Sequence, residues 1–126
     1  MSQPEELRKR TKEFALRIIR LFRALPKTEE ARIIGRQVLR SGTSVAANYR
    51  ATCRARSKAE FVARIGQVIE EADETVFWLE LLSESGIIPG DRLNPLLAKA
   101  NELVAIFVVS RKTATGKIKL DRAAAA

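Results

Sequence analysis

The sequence contains no histidine, one cysteine, one tryptophan and one tyrosine. Without histidine, general acid–base chemistry near neutral pH falls to carboxylates or lysines of shifted pKa. The single cysteine, Cys53, has no partner for an internal disulfide, which fits a reducing, cytoplasmic setting. Nearby Arg50, Arg54 and Arg56 are cations of the kind that lower a thiol pKa, yet no imidazole is present to activate it. Four prolines and six glycines in 126 residues exclude a collagen-like or linker-rich chain. No unbroken apolar run approaches the roughly 20 residues that a bilayer-crossing helix needs, so no membrane association is expected. The opening MSQPEELRKRTKEFA is charged throughout, so no secretory leader is expected. There is no nucleotide-binding loop. Neither an enzyme nor a cofactor-dependent protein is expected.

What is present is charge and helical periodicity. The chain is 46% hydrophobic and 30% charged, the profile of one globular domain, with a net charge of +8 and a pI near 10.3. Residues 1–60 hold 15 Lys or Arg against 6 acids, residues 61–91 hold 1 against 7, and residues 92–126 hold 7 against 2. Such asymmetry suits a polyanionic partner. It also suits basic helices packed beside an acidic one.

Four helices follow from the apolar spacing. In the first, roughly 4–25, Leu7, Phe14, Ile18, Leu21 and Leu25 form a stripe, Ser2 with Glu5 makes a capping box, and Pro26 ends it. The second starts on Thr28, carries Glu29 and Glu30 at the positive end of its dipole, and runs to about Cys53. Gly35 and Gly42 inside it each cost about 1 kcal/mol relative to alanine, so close packing or a kink must compensate. Ser57 and Glu60 form a second capping box before the stripe Phe61, Ile65, Val68, Ala72, Val76, Leu79 and Leu82, which Gly86 closes. Asp91 is expected to cap the fourth helix, and Gly116 to end it near Thr115. The predicted domain is therefore residues 1–116, an all-α, antiparallel up-down-up-down four-helix bundle. A basic, alanine-ended tail over 117–126 is expected to be flexible.

Small residues Ser41, Gly42, Ser44, Ala46 and Ala47 are expected to let helices two and three approach closely. In helix four, Leu103 to Val109 is apolar on every side, which a single bundle core cannot absorb. A second buried face and an oligomer are expected there, with Ile106, Val108 and Val109 as contact residues.

Three basic clusters should share one end of the bundle. They are Arg8, Lys9, Arg10 and Lys12 at the start of helix one, Arg50, Arg54, Arg56 and Lys58 around the second turn, and Arg111, Lys112, Lys117 and Lys119 late in helix four. Together they offer phosphate contacts to RNA or DNA. Tyr49 is the one candidate for stacking on a base, so recognition of the backbone is expected over reading of bases. A solvated, solubilising surface is the competing reading. Glu70, Glu71, Asp73 and Glu74 form the only dense carboxylate group. It suits a magnesium ion less well than ion pairing, for which counting across the hairpin nominates Arg40. The acidic third helix and apolar fourth also suit a protein-binding scaffold.

Three stretches carry a family resemblance: GTSVAANYRA (42–51), RARSKAEF (54–61) and EEADETVFWLELL (70–82). They resemble the four-helix-bundle proteins of the 23S ribosomal RNA intervening-sequence family, a bacterial family related to accessory proteins of diversity-generating retroelements. Ser44 and Asn48 match its helix-two positions, and Glu71, Asp73, Glu74 and Trp78 its helix-three signature. The resemblance implies a ring-like homopentamer that binds nucleic acid, with a reverse transcriptase as a further partner, while the scaffold alternative would recruit a reverse transcriptase or nuclease. Many members carry an acid after the residue matching Arg50. Here Arg50-Ala51-Thr52 follows a different pattern, and this end is more basic for it.

Overall fold

The computed structural model describes residues 2–125, which fold into four α-helices with no strand among them. These are α1 (Gln3–Ala24), α2 (Glu29–Thr52), α3 (Lys58–Glu84) and α4 (Gly90–Ala125). Three begin on side-chain caps where the sequence places them. The Ser2 hydroxyl accepts from the Glu5 amide at 3.3 Å, Thr28 from Ala31 at 3.3 Å, and Ser57 from Glu60 at 3.0 Å. Gly86, at φ +79°, turns the chain out of α3, a conformation that glycine reaches without strain. Asp91 lies within the first turn of α4 rather than ahead of it.

Each helix packs against its neighbours in sequence, while α1 and α4 meet only sparsely. The core is one cluster drawn from all four, with Phe14, Ile18, Val38, Val45, Ile65, Leu79, Leu103 and Phe107 almost fully buried. The two glycines of α2 explain themselves here. A Cβ on Gly42 would stand 2.8 Å from Ile18 Cγ1, and one on Gly35 would stand 2.6 Å from Leu25 Cδ1. Both receive side chains of the α1 segment, which for Gly42 replaces the expected contact with α3. The seam to α3 is instead polar: the Thr75 hydroxyl donates to that of Ser41 at 2.9 Å, and Ser41 donates to the Gln37 carbonyl at 2.9 Å. Ser41 and Thr75 are fully buried, so their mutual bond satisfies them.

The fourth helix differs from expectation in length. It does not stop near Thr115 but passes through Gly116 to Ala125, so residues 117–125 continue the helix rather than form a separate tail. Ala126 and Met1 lie outside the described residues. A lone glycine lowers helix stability by only about 1 kcal/mol, and no proline or cap follows it. Lys58 Nζ also holds Asp121 at 2.6 Å, tying the extension to the start of α3. By composition α4 contains an 18-residue window of mean hydropathy 1.3, long and apolar enough to cross a membrane. A search for unbroken apolar runs overlooks it, because Lys99 and Glu102 interrupt the stretch. Here its buried stripe, Leu93, Leu96, Ala100, Leu103 and Phe107, forms one wall of the bundle core.

Candidate nucleic-acid interface

The structure divides the predicted basic residues into those that are ion-paired and those that are not. Arg10 turns towards α4 and pairs with Glu102, whose carboxyl is held below its ordinary pKa, first by that hydrogen bond and then by the Arg10 charge. Lys58 is occupied by Asp121. On the α3 flank of α2, Arg40 reaches Glu71 at 3.4 Å and also bridges to Glu74, which in turn accepts from the Trp78 indole at 3.2 Å. The dense carboxylate group is thus part of a helix–helix seam. Arg111 lies beside Gly66 on α3. Lys9 and Lys112 are exposed and line none of the depressions described below.

On the other flank of α2 the cations are free. Arg8 and Lys12 of α1, Arg50 of α2 and Arg54 just past its end surround a groove of about 560 Å³ whose remaining lining is Thr43, Ala46 and Ala47. Among the described residues none of these four cations has an ion-pair partner, and no carboxylate lines the groove. Helical spacing produces this. Residues 43, 47 and 50 fall on one face of α2, with 46 beside it and Arg54 two residues past the helix end, and residues 8 and 12 are one turn apart on α1. The small side chains leave a low floor from which longer cationic ones rise. They therefore have three separate uses: Gly42 admits α1, Ser41 bonds to α3, and Ala46 and Ala47 floor the groove.

Two further depressions adjoin it. Arg54 also lines a hollow of about 420 Å³ with Ala51, Arg56, Glu60 and Arg64. There the Arg56 amide donates to Glu60 at 3.1 Å and Arg64 donates at 2.8 Å, and these bonds, in that order, hold the Glu60 carboxyl below its ordinary pKa. Arg8 and Arg56 also line a cup of about 550 Å³ at the bundle's end, together with Lys58 and Lys117. The arginines link all three depressions into one cationic tract. Arg64 goes unnoticed in the sequence because it stands alone in an acidic block.

Tyr49 corrects the sequence reading. It is 3% exposed and stacked on Phe107, ring centroids 5.4 Å apart, so its ring is part of the core and is not free to stack on a base. Burial pushes its phenol above the usual range, Cys53 adds to the shift and Arg8 opposes it. Of the expected oligomer contacts, Ile106 and Val108 are half-buried and Val109 is 62% exposed.

A basic, antiparallel four-helix protein with an acid-free groove between its first two helices is the class that fold and site define. Over residues 5–108 the sequence matches the family model for the 23S rRNA-intervening sequence protein, and the chain belongs to that family. It is similar to a crystal structure of a protein of unknown function from the S23 ribosomal protein family of Bacteroides thetaiotaomicron. The two are 30% identical with a TM-score of 0.81, and the match covers 88% of this chain and 99% of the other. No match is found among curated proteins.

Proposed function

We propose that this chain is a non-enzymatic accessory protein that binds RNA or DNA through the phosphate backbone and acts as a homo-oligomer in the cytoplasm. The observation that carries the reading is the groove of Arg8, Lys12, Arg50 and Arg54, four cations without ion pairs around a floor of Thr43, Ala46 and Ala47. Cations held around an acid-free trough suit a row of phosphates, and contacts of this kind carry no base identity. The burial of Tyr49 strengthens the backbone-directed form of the reading. Membership of a family named for an rRNA insertion favours RNA as the ligand.

The oligomer is assigned to the outward face of α4, where Val109 is exposed beside half-buried Ile106 and Val108. A ring-like pentamer would repeat the cationic tract about its axis. The finer role is that of an accessory to a retroelement reverse transcriptase. A protein-binding scaffold is the second reading, favoured by Phe77, 51% exposed and edge-on to Trp78 at 5.0 Å on acidic α3.

Titration of labelled RNA and DNA at several salt concentrations tests the main reading. Affinity should fall steeply with salt, and Arg54→Ala should flatten the log–log slope by roughly 0.7 for single strands or 0.9 for duplex DNA, alike for all sequences. Absence of binding at low salt would leave the scaffold reading. For the oligomer, light scattering on Ile106→Glu should report a smaller mass. An unchanged mass for glutamate at each of Ile106, Val108 and Val109 would remove α4 from the contact.

A further inference from the structure

We propose that the cup at the bundle's end seats a strand terminus: the last nucleotide of a single strand, with a terminal phosphate held by Arg56 and Lys117. The inference deepens the backbone-binding reading and rests on it. Its ground is how the groove and the cup are joined. Arg8 lines both, so a strand lying on Arg8, Lys12, Arg50 and Arg54 runs directly into the cup.

The two depressions differ in what they offer. The groove floor is small side chains and accommodates a ribose-phosphate track. The cup has an apolar interior made by Leu7, Phe61 and Tyr49, with the exposed Val109 shared between the cup and the outward face of α4, cations at Arg8, Arg56 and Lys117, and no carboxylate in its lining. Lys58 also lines it but is engaged by Asp121. At about 550 Å³ it falls within the range of small-ligand sites, roughly 300–1,000 Å³. An apolar interior beneath several cations matches a base with a phosphate attached. Phe61 is half-buried and provides the aromatic surface that Tyr49 does not.

The walls argue for a terminus over an interior nucleotide. All four helices contribute lining residues, and the core lies beneath. On the far side α4 continues from Ala114, in the lining, to Ala125, a rise of roughly 16 Å along which Asp121 pairs with Lys58. A strand can enter past Arg8 but meets α4 opposite, and the other neighbouring hollow, reached past Arg56, carries the Glu60 carboxylate in its lining, which disfavours a continuing phosphate chain. An interior nucleotide needs two ways out, whereas a terminal one needs only one. A terminal phosphate also has more charge and more free oxygens than a bridging one, and thus more to offer two cations.

The experiment compares four forms of one short, mixed-sequence single-stranded RNA by fluorescence anisotropy with the full chain: 5′-phosphorylated, 3′-phosphorylated, hydroxyl-ended and circular. One phosphorylated form should bind tighter than the circle by about tenfold, the scale of one charge-assisted hydrogen bond. Which end is preferred gives the strand's polarity. Lys117→Ala should shrink the gap between linear and circular forms, and Phe61→Ala should do the same if it folds. Arg50→Ala, in the groove, should weaken all four alike. Equal binding of the four forms overturns the cup and leaves the groove standing. Hydroxyl-ended RNA binding as tightly as phosphorylated RNA overturns the phosphate assignment to Arg56 and Lys117. No binding of any form at low salt overturns the groove and the cup together.

Discussion

Arginines on the two flanks of α2 meet opposite fates. Towards α3, Arg40 is bound by Glu71 and Glu74 and contributes to a seam between helices. Towards α1, Arg50 and Arg54 stand with Arg8 and Lys12 around a groove with no acid in it. All three arginines lie on or just past one helix, within four turns of one another. What separates them is the neighbouring helix: α3 presents carboxylates, while α1 presents more cations. Net charge is a property of the whole chain, whereas pairing is what distinguishes one flank from the other.

The largest change should come from emptying the free flank. Replacing Arg8, Lys12, Arg50 and Arg54 together by glutamine should reduce the salt slope of RNA binding by roughly 3, the sum of four single-strand phosphate contacts. Arg40→Gln should leave the slope unaltered. Equal losses in the two variants would erase the distinction between the flanks.

A smaller effect is expected on stability when the α1 seam is overfilled. Gly42→Val forces methyl groups against Ile18, which is fully buried and cannot move aside, and should lower unfolding free energy by about 1–3 kcal/mol in chemical denaturation. Ala47→Val, one to two turns away on the exposed groove floor, should stay within about 0.5 kcal/mol. A comparable loss at both positions would mean that α1 does not approach α2 as closely as Gly42 indicates.

Arg40→Gln itself should cost roughly 0.2–1 kcal/mol, because the Arg40 side chain is 49% exposed and Glu74 38%, where solvent screens the pair. A double-mutant cycle with Glu74→Gln isolates it. The smallest effect is acid dependence. Glu60 and Glu102 have pKa values lowered from 4.5 in the fold, so their contribution is present above the unfolded value and fades as pH falls through the folded one. Glu102→Gln should therefore make the acid limb of the stability profile slightly shallower, with a small loss at neutral pH that disappears in acid. A loss in acid as large as that at neutral pH would contradict this origin.

Much of the fold was legible because helix boundaries here are written locally. Ser2, Thr28 and Ser57 cap the helices they precede, and Gly86 turns the chain out of α3. Counting along the hairpin paired Arg40 with Glu71 and Glu74. The errors arise where a residue's neighbours come from a different helix. Gly42 looked like a contact for α3, since α2 and α3 form the tighter hairpin, and the azimuth of α1 is not written in α2. Tyr49 looked like a surface aromatic beside Arg50, but it falls on the stripe with Val38, Val45 and Thr52 and meets Phe107 from α4. Gly116 looked like a stop, but a lone helical glycine costs only about 1 kcal/mol and neither a proline nor a cap follows it. The groove itself was half-legible: its cations were evident in the sequence, whereas their lack of partners depends on what α1 and α3 present.

The paired glycines have one more consequence. Gly42 receives Ile18 and Gly35 receives Leu25, the residue that ends α1, and along each segment the two marks stand seven residues apart, close to two turns. Sliding α1 along α2 by one turn, about 5.4 Å, would drive each knob against a side chain instead of a socket. The pair thus acts as a vernier that fixes axial registry and, because glycine opens only one side of a helix, rotation as well. Arg8 and Lys12 are carried on the same rigid rod as Ile18. Their placement opposite Arg50 and Arg54 is set by two missing side chains well down the bundle, without any contact among the charges themselves.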